Sequence, residues 1–133
     1  MNSFKIGSMC IGEQDKCIIS FEPGGTFQNI EEAKEMIKFS ANAGADAIKF
    51  QTFFPGDADR IMGRKDITVD YTTPEGEKQE LIYDALKRRE LSKDEWKELT
   101  EFSKSQNLLF ITAPYFPETV DFLKEINVDA IKV

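Results

Sequence analysis

The tetrapeptide Asp-Ala-Ile-Lys occurs twice, at 46–49 and 129–132, each copy following a helical pattern and opening an apolar run. Lysine is rarely placed inside a buried strand without an anionic partner. Lys49 and Lys132 are therefore candidates for a local anion site that would take a phosphate or a carboxylate. The two-residue period of a strand places Gln51 on the face of Lys49 and turns Phe50 to the other face. Glu22 stands directly after another apolar run, CIISF at 17–21. A carboxylate there can act as general acid–base, orient a substrate hydroxyl or pair with a lysine. Plainer readings stand beside these: lysines that end strands and reach solvent, and a glutamate that forms an ion pair or caps the turn EPGGTFQ.

Elements must position these groups. CIISF (17–21), DAIKFQTFF (46–54), LLFIT (108–112) and DAIKV (129–133) read as strands, the first two buried on both faces. Residues 4–11 could form a small hairpin arm with the segment that follows. A first helix is expected from Asn29 as N-cap, with Ile30, Ala33, Ile37 and Ala41 at helical spacing and Gly44 as terminator. Residues 55–78 lack sustained periodicity and read as a long loop, followed by a helical stretch, QELIYDALKRR. Ser92 and Glu95 form a capping box ahead of Trp96, Leu99 and Phe102, and Pro117 opens a helix over 117–126. Apolar strands alternating with amphipathic helices mean parallel βαβ units, hence an open doubly wound sheet or a closed barrel. No GxGxxG follows the first strand and no GxxxxGK[ST] occurs, which disfavours the dinucleotide and P-loop folds. The expected class is an α/β (β/α)8 TIM barrel. In such a barrel alternate strands share interior layers and chemistry sits at the strands' C-terminal ends.

Composition narrows the function. The chain has 133 residues, 17 Lys+Arg against 24 Asp+Glu, a net charge of −7, no His and two Cys. The acidic balance argues against a nucleic-acid or membrane-surface partner, and no apolar run approaches the roughly 18–20 residues of a membrane span. The first sixteen residues lack the pattern of a signal peptide. Cys10 and Cys17 read as ordinary thiols suited to a reducing cytoplasm. Without His, no His-ligated metal site can be built from this chain alone. A closed barrel typically takes about 250 residues. Residues 1–133 are thus expected to supply the first four strands, the N-terminal part of a single TIM-barrel catalytic domain whose remainder lies outside the chain.

AGADAIKFQTF (43–53), RRELS (88–92), FITAPY (110–115) and VDFLKEINVDAIKV (120–133) together resemble the N-terminal half of sialic acid synthases. That family holds the phosphoenolpyruvate-dependent synthases of N-acetylneuraminate and related nonulosonates. The resemblance implies a transferase that condenses phosphoenolpyruvate with an N-acetylmannosamine-like sugar and releases phosphate. It implies Glu22 and Lys49 as catalytic residues, and Lys49, Gln51, Tyr115 and Lys132 as substrate-binding ones. It also implies a cytoplasmic homodimer as the full-length enzyme, and a divalent Mn or Mg whose histidine ligands lie outside this segment. Two loops depart from the family pattern. The first reads Glu22-Pro23-Gly24-Gly25-Thr26-Phe27-Gln28, without the usual Asn-His. The third strand ends Thr112-Ala113-Pro114-Tyr115 in place of S-T-P-F. Aligned on the proline, Ala113 takes the place of the ligand-binding threonine. Thr112 remains a substrate-binding candidate one position early, an offset that turns its hydroxyl to the other face. Alternatives from the residues are another phosphoenolpyruvate- or aldolase-type barrel, the latter with a Schiff-base lysine, and a non-catalytic half-barrel that associates with a partner.

Overall fold

The computed structural model describes residues 3–12 and 16–133. Parts of the N-terminal segment read as lacking a leader, residues 1–2 and 13–15, lie outside the described residues. In chain order the elements are β1 (Phe4–Ile6), β2 (Met9–Ile11), β3 (Ser20–Gly24), α1 (Ile30–Asn42), β4 (Ala47–Thr52) and α2 (Asp57–Ile61). There follow β5 (Thr68–Thr73), β6 (Gly76–Leu81), α3 (Ile82–Lys87), α4 (Lys93–Ser105), β7 (Leu109–Pro114), α5 (Pro117–Glu125) and β8 (Ala130–Ile131).

Four strands form one parallel sheet in the order β3-β4-β7-β8, with no reversal. Alternation along β4 separates its two faces. Ile48, Phe50 and Thr52 are fully buried, whereas Lys49 and Gln51 are only half-buried on the opposite side. Phe50 is the centre of the helix-side core: its ring stacks on Phe110 at 5.6 Å and meets Phe27 and Trp96 edge-on at 5.9 and 6.2 Å. Ala33 and Ile37 of α1, Trp96 and Leu99 of α4, and Phe122 and Leu123 of α5 complete this core. All three helices therefore cover the same face of the sheet.

The helix signals act as expected. The Asn29 side chain accepts from the Glu32 N–H at 3.0 Å, and Gly44 leaves α1 at φ +79°, where a side chain would be strained. Ser92 and Glu95 form the complete capping box, and Pro117 occupies the first turn of α5.

The repeated Asp-Ala-Ile-Lys has a structural cause. Asp46 Oδ2 accepts the Ile19 N–H at 3.0 Å, and Asp129 Oδ2 accepts the Phe110 N–H at 2.8 Å. In both copies the aspartate grips the start of the preceding parallel strand. The next two residues enter the ladder, and the lysine ends on the uncovered face.

Several expectations are corrected. The first sheet strand runs from Ser20 to Gly24, not 17–21, and Phe21 is 47% exposed. It is an edge strand with Ser20, Phe21 and Glu22 exposed, so its apolar run is not buried on both faces. The N-terminal hairpin closes within residues 4–11, Phe4 opposite Ile11, and not with a later segment. Residues 55–78 are not an unstructured loop: they hold α2 and the antiparallel β5–β6 hairpin. The helix expected from Gln79 begins only at Ile82, because Gln79–Leu81 pair with β5. Cys10 and Cys17 are free and exposed. Among the described residues no helix is long and apolar enough to cross a membrane.

The Asp46 grip generates a pH prediction. Its carboxyl is held below the usual carboxylate range, first by the Lys16 ammonium at 2.6 Å and then by the Ile19 N–H. A depressed folded-state pKa contributes stability that is fully present above the unfolded value of about 4 and is lost as the pH falls through the depressed one. The denaturant midpoint should therefore drop as the pH falls below about 4. Asp46→Asn should be less stable than the parent at pH 7 and lose less of its remaining stability over that fall in pH. An equally steep acid limb in both proteins would count against this role.

Candidate active site

The parallel register delivers the polar groups to one end of the sheet. Lys49 lies opposite Ile111, and Gln51 opposite Ala113. Ile111 pairs with Ala130, so Lys132, two residues on, reaches the same face; its N–H donates to the Thr112 carbonyl at 2.9 Å. On the other flank Phe21 pairs with Ile48 and Gly24 with Phe50, which leaves one extra residue in β3 between these pairs. A bulge of this kind bends the strand and re-aims its side chains, and here it carries Glu22 over Lys49.

The result is a pocket of about 560 Å³ at the C-terminal ends of the strands. Glu22, Lys49, Gln51, Tyr115 and Lys132 all line it, with Ala113 and Pro114 between them. Glu22 Oε1 accepts a hydrogen bond from Lys49 Nζ. The lysine is the more buried partner, its side chain 14% exposed against 50% for Glu22. Among the described residues Lys132 makes no ion pair, so its charge is available to a ligand. Tyr115 stacks on Phe53 at 4.6 Å, which holds the ring at the rim. Opposed charges with an uncompensated cation suit a small molecule that carries an anion beside a group needing proton transfer.

Thr112 is not part of this pocket, and its candidacy as a substrate-binding residue is corrected. It lies opposite Phe50 in the ladder and is completely buried on the helix side. Its hydroxyl bonds the Thr52 hydroxyl at 2.7 Å and donates to the Phe50 carbonyl at 3.3 Å. The pocket position beside it is taken by Ala113, which has no polar group to offer.

The RRELS stretch is scaffold and rim. Glu90 Oε1 accepts the N–H groups of Gly56 and Ala58 at 3.0 and 2.8 Å, fixing the turn after β4. The Leu91 N–H and Trp96 Nε1 both donate to the Phe53 carbonyl at 3.0 Å. Arg88 forms a two-pronged ion pair with Glu80 of the hairpin, at 2.5 and 2.8 Å. Arg89 turns instead toward Gly25 and Gln51. Its Nε donates to the Gly25 carbonyl at 3.0 Å and its Nη1 to Gln51 Oε1 at 3.4 Å. Burial, with Arg88 beside it, pulls this guanidinium below its ordinary value. Sequence reasoning did not single out Arg89, since nothing in local pattern links it to Gly25, 64 residues earlier.

Among the described residues no group of three His, Cys, Asp or Glu side chains could hold a metal ion. The residues present do not fit the divalent metal expected from the resemblance.

Comparison with known proteins agrees with the resemblance. Residues 36–133 match the NeuB family. The chain is 28% identical over 123 residues to the N,N'-diacetyllegionaminic acid synthase of Legionella pneumophila, covering 92% of this chain and 34% of that protein. It is 30% identical over 125 residues to the human N-acetylneuraminate-9-phosphate synthase, covering 92% of this chain and 33% of that protein. The structure superposes on the N-acetylneuraminic acid (sialic acid) synthetase of Leptospira borgpetersenii serovar Hardjo-bovis, solved in complex with citrate. The TM-score is 0.77 at 27% identity, over 99% of this chain and 41% of that one. The chain thus spans about a third of the length of the curated relatives it matches.

Two substitutions separate pocket from core. Thr112→Val should strand the Thr52 hydroxyl in the core and cost about 1–3 kcal/mol of stability, with affinity for inorganic phosphate unchanged. Lys49→Ala should weaken phosphate binding while the fold persists. Denaturation and calorimetric titration of both variants check this, and equal affinity in Lys49→Ala and the parent would remove the anion site.

Proposed function

This chain belongs to the NeuB family of sialic acid synthases, and on that premise we propose that its sheet is the first half of a (β/α)8 barrel whose mouth joins phosphoenolpyruvate to an N-acetylated amino sugar. The observation that carries this reading is the convergence of Glu22, Lys49, Gln51 and Lys132 on one pocket at the C-terminal ends of adjacent parallel strands. Two features support the barrel. The strand order does not reverse, as it would in a doubly wound sheet. The helices cover one face only, and a parallel sheet is ordinarily covered on both unless the bare face closes on itself.

In this reading the enol carbon of phosphoenolpyruvate bonds to the aldehyde carbon of the open-chain sugar. Water adds at C2, and the C2–O bond to phosphate then breaks, giving a nonulosonate and inorganic phosphate. Lys49 and Lys132 hold the phosphate and carboxylate, whose charges must sit close to a reacting carbonyl. Glu22, held by Lys49, is placed to move a proton at the sugar oxygen, and the Gln51 amide orients a carbonyl or carboxylate oxygen. Tyr115 packs against the ligand from the rim. A divalent Mn or Mg would be held by residues outside this chain. The reading carries with it small-molecule reactants, a homodimeric whole enzyme and a cytoplasmic location.

The test is phosphate release by the full-length protein given phosphoenolpyruvate and a panel of N-acetylated amino sugars that includes N-acetylmannosamine. Phosphate and nonulosonate should form in equal amounts. Lys49→Ala and Glu22→Gln should each lower kcat/KM by about 10²–10³-fold, the loss typical of a removed charge-stabilising group. No phosphate from any sugar, together with borohydride trapping of a lysine adduct, would transfer the chain to the aldolase class.

A further inference from the structure

Arg89 lies in the cleft beside the β5–β6 hairpin and touches the pocket through Gln51. Among the described residues it makes no ion pair, while its neighbour Arg88 is paired with Glu80 through both Nη atoms. A half-buried guanidinium without a carboxylate is costly for a fold to keep. Its two hydrogen bonds go to the Gly25 carbonyl, three residues past Glu22, and to Oε1 of the pocket residue Gln51. Gly25 must lack a side chain for this to happen. A Cβ there would lie 1.6 Å from Arg89 Nε and 2.1 Å from its Cζ, far inside van der Waals contact.

We propose that Arg89 is a positioning residue of the reaction site, acting through Gln51, with Gly25 as its seat. The chemistry follows from donor inventory. Arginine offers N–H donors only, so the atom of Gln51 that faces it must be the amide oxygen. The amide NH2 of Gln51, a residue that lines the pocket, is then left free of Arg89. Without Arg89 the amide is free to turn over and offer an acceptor where an anionic ligand needs a donor. The inference rests on this pocket being the reaction site, but the Gln51 amide orientation exists without any ligand.

The experiment compares Arg89→Met, Arg89→Lys, Gly25→Ala, Gln51→Ala and the Arg89→Met/Gln51→Ala double variant in the full-length protein. In the ligand-free protein the Gln51 side-chain amide resonances should move in Arg89→Met, and move similarly in Gly25→Ala, which evicts the guanidinium without touching residue 89. In phosphoenolpyruvate titration and steady-state assay, Arg89→Met should lose about tenfold in affinity and kcat/KM. That loss should vanish when Gln51 is already alanine. Millimolar guanidinium should restore part of it in Arg89→Met but not in Gln51→Ala, and Arg89→Lys should fall between. Unmoved amide resonances, or losses that simply add in the double variant, overturn the proposal. If the parent protein neither binds phosphoenolpyruvate nor releases phosphate, the functional reading fails instead, and the amide resonances alone decide the role of Arg89.

Discussion

The register of β4 between its two neighbours is the constraint on which the rest depends. Because side chains alternate across a strand, that register assigns Phe50 to the aromatic core and Lys49 and Gln51 to the pocket in a single step. A slip of one residue would drive an ammonium among Phe27, Trp96 and Phe110 and expose the ring that now joins them. Core and site are thus not independently adjustable. The buried Thr52–Thr112 hydroxyl pair belongs to the same arrangement, since those two hydroxyls meet only when Phe50 lies opposite Thr112.

Much of this was legible in the residues. Asn29, Ser92 with Glu95, and Pro117 are helix signals whose chemistry is local, and each acts where it stands. The repeated Asp-Ala-Ile-Lys pointed to two lysines at equivalent strand ends, and the structure puts both at one pocket. The family resemblance carried by AGADAIKFQTF and RRELS is the one the comparisons found. The offset of Thr112 from the strand-end proline likewise foretold that its hydroxyl would face away.

What was not legible depends on contacts distant in sequence. CIISF looks like a doubly buried strand, but burial is decided by what lies beside it, and here it is an edge shifted three residues along. The β5–β6 hairpin escaped because its faces are polar: Asp70 bonds Gln79 at 2.7 Å and Tyr71 lies opposite Lys78, so no core-facing stripe marks it. Its strand character rests on Thr68, Val69, Tyr71, Thr72 and Thr73, residues that favour extended backbone without implying burial. Arg89 carries no local signal, because its orientation is set by the bare backbone of Gly25, sixty-four residues earlier.

The two aspartate grips have a consequence for how such a sheet is assembled. Asp46 ties β4 to the strand before it, and Asp129 does the same for β8. Each of these strands therefore carries its own index mark against its predecessor, at the end opposite the chemistry. Between the two marked pairs, β4 and β7 are aligned by their backbone ladder. The two lysines, eighty-three positions apart, each stand three residues past such an aspartate, and the ladder through β7 brings them to a common level.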